Sequence, residues 1–145
     1  MQITRHKPLT AALAAAITLL LHSGQSLADK AYDGHVQCEG SDCKIDLFLM
    51  RGFRAFSQCQ VCHGIDGNGS TIGPSLMAKL REIDRETFVD RVTNGFTGQI
   101  GVMPAWKSNP NVMKYLDNLY AYLLARSDQV IPPGRLARFD RDGEA

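Results

Sequence analysis

Cys59-Gln60-Val61-Cys62-His63 constrains this chain more than any other stretch of it. Two thiols stand about one helical turn apart and an imidazole follows directly, so any fold that forms must bring all three into one small volume. Three chemistries use a C-x-x-C pair: dithiol redox exchange, zinc binding and covalent haem attachment. The redox use expects a βαβ context, and no run here alternates long enough to read as such a strand. A zinc site expects a second ligand pair at similar spacing, for which Cys38 and Cys43 are a poor match. The histidine directly after the second cysteine is the mark of c-type haem attachment. Each thiol can add to a haem vinyl group, and the neighbouring imidazole then reaches the iron from one face. The motif favours one covalent haem c held by Cys59, Cys62 and His63.

The N-terminus bears on the compartment. Arg5, His6 and Lys7 precede an apolar run from Leu9 to Leu21, broken by Thr10 and Thr18, and Ser26-Leu27-Ala28 supplies small residues where a signal peptidase reads. The run is about 13 residues, whereas spanning a bilayer takes roughly 20. Residues 1–28 therefore read as a cleaved signal peptide, and residues 29–145 as one exported, periplasmic domain. Taking Arg5 and Lys7 from the 16 basic residues leaves 14 against 15 acidic ones. That balance offers no basic field for nucleic acid or for an anionic membrane surface. Export also suits the motif, because c-type haem is attached outside the bacterial inner membrane. In the same compartment Cys38 and Cys43 are expected to form a local disulfide.

Periodicity predicts an all-α domain of three to four helices. A helix from about Lys44 to Gln58 aligns Ile45, Phe48, Leu49, Gly52 and Phe56 on one face. Gly52 costs helix propensity of about 1 kcal/mol against alanine, which implies a close neighbour there. Gly64 to Pro74 reads as a glycine-rich loop. Asp84 predicts an N-cap for a helix ending at Asn94, with Phe88, Val89 and Val92 inward and Gly95 as the stop. Gly95 to Pro104 reads as loop. Asn109 and Pro110 predict the start of a last helix running to about Arg126, with a stripe of Val112, Met113, Leu116, Leu119, Tyr120 and Leu123. The tail from Ser127 carries no periodicity.

The candidates for a sixth iron ligand are few. After cleavage His35 is the sole bis-histidine candidate, in a polar segment ahead of the first helix. Met50 and Met113 fall inside helices, where methionine is usually core filler. Met77 lies 14 residues beyond His63, a short reach to the opposite face of a haem. Met103 lies 40 residues beyond, in the loop Gly101-Val102-Met103-Pro104, and the following proline biases it towards an extended conformation. Met103 is the favoured ligand, the alternative being an incidental loop methionine. A His/Met pair raises the reduction potential relative to bis-histidine.

With these pieces in hand, the stretch from about Lys44 to Arg126 resembles the class I monohaem cytochromes c. The resemblance rests on the haem motif, Gly73-Pro74, Met103-Pro104 and the aromatic last helix. It implies the cytochrome c fold wrapped around one haem. It further implies that first and last helices cross at a glycine–aromatic contact, Gly52 and Phe56 against Leu119, Tyr120 and Tyr122. By the same resemblance the Pro74 carbonyl would orient His63, an outer contact that tunes the metal. A plain turn proline is the other reading. Trp106, just past Met103, would line the haem pocket or simply pack in the core. The runs Cys43–Leu47, Gly52–Phe56, Tyr122–Asp128 and Pro133-Gly134-Arg135 are similar to soluble cytochromes that take electrons from PQQ-dependent (quinoprotein) alcohol dehydrogenases.

The function expected is electron transfer without catalysis, by a monomer working between a quinoprotein dehydrogenase and a terminal oxidase or another cytochrome. The alternatives are a haem subunit of a larger oxidoreductase complex and a haem enzyme or sensor with an open iron site. Two other motifs fail. Asp66-Gly67-Asn68-Gly69-Ser70 begins like a calcium loop, but its sixth position is Thr71 and its twelfth Met77. The glycines also miss G-x-G-x-x-G, and no strand precedes them. They suit a backbone that passes close to a porphyrin edge. Arg135, Arg138 and Arg141 read as a solvated tail.

Overall fold

In the computed structural model, residues 29–99 and 101–140 are described; the expected signal peptide lies outside them. Among the described residues the elements are β1 (Val36–Glu39), β2 (Asp42–Ile45), α1 (Leu47–Phe56), α2 (Gln60–His63), α3 (Leu76–Lys79), α4 (Arg85–Asn94), β3 (Phe96–Thr97), β4 (Val102–Met103), α5 (Pro110–Met113), α6 (Leu116–Ser127) and β5 (Ala137–Arg138). The core is helical, but the molecule is not purely so. β1 and β2 form an antiparallel hairpin, and β5 from the tail adds to β2 in parallel, pairing Lys44 with Ala137 and Ile45 with Arg138. No helix among the described residues is long and apolar enough to cross a membrane.

The hairpin explains why α1 starts later than periodicity suggests. Lys44 and Ile45 belong to β2, and Asp46 then caps the helix, its carboxylate accepting from the Leu49 amide at 3.1 Å. Gly40, at φ 62°, takes the left-handed conformation that a two-residue turn between paired strands requires. Cys38 and Cys43 face each other across this ladder and are joined as a disulfide, as expected. α4 begins after the Asp84 cap and ends at Asn94, as its signals predicted. Asn109 caps α5 with Pro110 in the first turn, but the expected last helix is two. Tyr115 leaves helical geometry at φ −116° and ψ 25°, and α6 restarts at Leu116.

α1 and α6 cross at Gly52. A Cβ there would overlap the Asn118 carbonyl and sit 2.7 Å from the Tyr122 Cβ, so only glycine allows the approach. Around the crossing Leu49, Phe56, Leu119 and Tyr122 are fully buried. Burying each such side chain stabilises by about 1.5–3 kcal/mol. Tyr122 meets Phe53 edge-on at 5.6 Å and Phe56 at 6.0 Å. Tyr120, expected in the same contact, turns the other way and packs on Phe88 of α4 at 5.2 Å.

Candidate functional site

The C-x-x-C-H motif continues from the C-terminal end of α1. The Cys59 amide donates to the Phe56 carbonyl at 2.8 Å, and the His63 amide to the Cys59 carbonyl at 2.9 Å. This single turn, α2, puts both thiols and the imidazole on one short segment anchored by the α1–α6 crossing. Cys59 and Cys62 are partly buried and not joined to each other. Burial, helped by the adjacent Cys62, pushes the Cys59 thiol up to about 11. At neutral pH Cys59 is therefore a thiol, unlike the activated thiolate of a dithiol redox pair. Among the described residues no three His, Cys, Asp or Glu side chains are grouped to hold a metal ion.

His63 is buried and its orientation is set. Its Nδ1 lies 2.8 Å from the Pro74 carbonyl oxygen. A carbonyl only accepts, so Nδ1 carries the proton and Nε2 is left as the lone-pair nitrogen. Nε2 has no hydrogen-bond partner among the described residues. The loop from Gly64 to Pro74 makes the Nδ1 contact possible by folding back on α2. The Gly69 amide donates to the His63 carbonyl at 2.8 Å, and the Ser70 hydroxyl donates to the Cys62 carbonyl. Gly73 then passes so close that a Cβ would come within 3.2 Å of His63 Nδ1. The loop glycines thus serve close approach to the motif's own backbone and ring.

The other expected residues lie on a second segment. Met103 closes the small β3–β4 ladder, paired with Phe96, and packs partly buried against the core. The expected plain loop thus contains a short ladder, whose two-residue strands are too short to show alternation. Trp106 also packs partly buried against the core, and its amide donates to the Val92 carbonyl at the end of α4. The remaining ligand candidates are placed elsewhere. His35 donates Nδ1 to the buried Asp46 carboxylate at 2.5 Å and stacks on Phe48 at 4.4 Å, a structural role at the start of α1. Met50 and Met77 are buried core residues.

Asn118 and the Arg126–Ser127 pair brace the fold with no signal in the sequence pattern. The Asn118 amide donates to the Phe48 carbonyl, and the Ser127 hydroxyl donates to the Met77 carbonyl at 2.8 Å. Asp128 accepts from the Tyr32 hydroxyl at 2.8 Å and pairs with Lys30 at 3.3 Å. Tyr122–Asp128 therefore ties the N-terminal segment and α3 to α6.

Comparison with known proteins adds independent findings. Residues 50–123 match the family model described as cytochrome c oxidase, cbb3-type, subunit III. Cytochrome c-553I of Paracoccus denitrificans is 39% identical over 99 residues, covering 65% of this chain and 44% of that protein. Cytochrome c-555 of Methylococcus capsulatus is 31% identical over 107 residues, covering 72% of this chain and 84% of that one. Among solved structures, the c-type cytochrome XoxG from Methylobacterium extorquens AM1 is similar, with a TM-score of 0.63 and 38% identity over 68% of this chain and 62% of XoxG. The chain thus spans less than half the length of c-553I and under two thirds of XoxG.

Proposed function

This chain belongs to the cytochrome c family, and from that premise we propose that it carries single electrons on one covalently bound haem c, as a periplasmic protein and not as an enzyme. The observation that carries the reading is the pairing of His63 with Pro74: the ring is buried, held through Nδ1, and keeps Nε2 for a metal. Two unjoined thiols on the same turn fit the attachment of a haem through both vinyl groups. In this assignment Cys59 and Cys62 would hold the haem, His63 and Met103 would bind its iron, and Trp106 would line the pocket beside Met103. When bound, the haem supplies a one-electron Fe(III)/Fe(II) couple. His63 and Met103 would supply its two protein ligands, and the Pro74 carbonyl holds the His63 ring through Nδ1.

The donor proposed is a PQQ-dependent alcohol dehydrogenase, and the acceptor a terminal oxidase or another cytochrome. Support comes from the flanking runs Cys43–Leu47 and Tyr122–Asp128, the same stretches that brace the fold. The protein is proposed to act as a single domain after removal of residues 1–28, as a monomer. Mixing the purified holoprotein with quinoprotein dehydrogenases and alcohols tests this. Reduction faster than that of an unrelated cytochrome is the expected result, and no difference for any dehydrogenase removes the donor assignment.

One observation favours a second reading. The matching family model describes an oxidase subunit, so the chain could serve as a haem subunit fixed in a larger complex. A monomer on size exclusion that still accepts electrons from a dehydrogenase excludes it.

A further inference from the structure

Outside the motif, two arginines face one cleft without a carboxylate to pair with. The cleft has a volume of about 440 Å³ and lies between the tail after α6, the tip of the β1–β2 hairpin and the loop after α2. Arg81, Arg126, Asn68, Gln129 and Ser41 line it, and Pro132 and Pro133 form part of the wall. It shares none of the residues assigned to the haem.

Arg126 is more than nine-tenths buried. One of its terminal nitrogens donates to the Asp66 main-chain carbonyl at 3.4 Å, and its enclosed Nε has no hydrogen-bond partner. Arg81 directs Nε and one terminal nitrogen at the Ser127 carbonyl, at 3.3 and 2.9 Å. Neither arginine belongs to an ion pair among the described residues; those pairs involve Lys30, His35, Lys79, Arg85 and Arg138. Arg126 also meets the Tyr122 side chain, which the Asp66 charge reaches as well. Asp66 offers Arg126 only its main-chain carbonyl and forms no ion pair with it among the described residues; Asp128 is held by Lys30 and Tyr32. A buried cation lacking a counter-charge is costly, and a guanidinium presents five donors shaped for an oxyanion. Asn68, Gln129 and Ser41, whose side chains carry groups able to donate, line the same cleft as the two arginines.

We propose that this cleft is a binding site for a small oxyanion, carboxylate or phosphate, held chiefly by Arg81 and Arg126. The anion supplies the counter-charge that Arg126 lacks, and its occupancy braces the junction of α6, the hairpin and the loop after α2. This goes beyond electron transfer and does not depend on it.

The test uses the full-length processed holoprotein in its reduced, diamagnetic state. Amide resonances are followed by NMR while inorganic phosphate or succinate is added at constant ionic strength, with sodium chloride as the reference. Saturable shifts centred on Asn68, Arg126 and Gln129 are expected from at least one of the two. Phosphate alone, succinate alone or both then names the anion class. Arg81→Gln should weaken binding at least about tenfold, the loss expected for a charge-assisted contact. Arg81→Lys, which keeps the charge but not the fork, should lie between. Arg85→Gln, at a surface ion pair outside the cleft, should match the parent. Shifts that never saturate, that chloride reproduces, or that survive Arg81→Gln overturn the proposal. The haem absorption spectrum of each variant separates lost binding from lost folding.

Discussion

His63 Nδ1 donates to the carbonyl oxygen of Pro74 across 2.8 Å, and Gly73 allows it by carrying no side chain against the ring. Gly73→Ala should push this contact apart. A weaker bond at Nδ1 makes the imidazole a poorer electron donor, so the oxidised iron loses stabilisation. The reduction potential should rise by some tens of millivolts, where about 59 mV is a tenfold change for one electron. Voltammetry of the purified variant checks this, and an unchanged or lower potential argues against the tuning role.

Met103→Ala tests the other axial assignment. The far-red methionine-to-iron charge-transfer band should vanish from the oxidised protein, and carbon monoxide should bind the reduced form quickly. If the band persists, the ligand is another residue.

Gly52→Ala places a methyl group against the Asn118 carbonyl and Tyr122, both held by a packed helix pair. Overpacking of this kind costs about 1–3 kcal/mol. The denaturant midpoint should fall accordingly while the haem spectrum of the folded protein stays the same.

Asp84 gives a pH-dependent outcome. Its bonds to Thr87 at the start of α4 hold its carboxyl below the ordinary value of 3.8. A carboxylate depressed in the folded state adds stability above its unfolded pKa, and that stability is lost as pH falls through the folded pKa. Asp84→Asn keeps a cap but does not titrate. It should be less stable than the parent at neutral pH, and the two should converge below the depressed pKa in paired denaturation curves.

The Cys38–Cys43 bridge closes a loop of only a few residues, so its loss on reduction should cost at most about 2 kcal/mol. Denaturation of the Cys38→Ser, Cys43→Ser double variant measures it. A larger loss would mean that the hairpin supports more of the core than its own strands.

The features that were legible from sequence are those encoded over a few residues. The C-x-x-C-H turn, the Asp84 cap and the Asn109-Pro110 start each depend on local chemistry. Lys44 and Ile45 read as helix because the periodicity of α1 extends back to Ile45, while their β1 partners sit in a polar hairpin without clear alternation and their β5 partners lie far off in sequence. The last helix reads as continuous because its apolar stripe crosses Lys114 and Tyr115 without interruption. The family resemblance implies a Tyr120 contact with α1, but the direction of Tyr120 depends on where α4 packs. The contact between Pro74 and His63 came from family resemblance, since nothing in an eleven-residue separation encodes it.

The parallel pairing of β5 with β2 bears on how the chain reaches this structure. Ala137 and Arg138 meet Lys44 and Ile45, so one register joins residues more than ninety positions apart. A mainly helical protein of this size would be expected to fold quickly through local contacts. Here the sheet cannot be completed until nearly the whole chain is available. Closing so long a loop costs entropy before any contact offsets it, so the docking of β5 onto the hairpin should lag behind the helices.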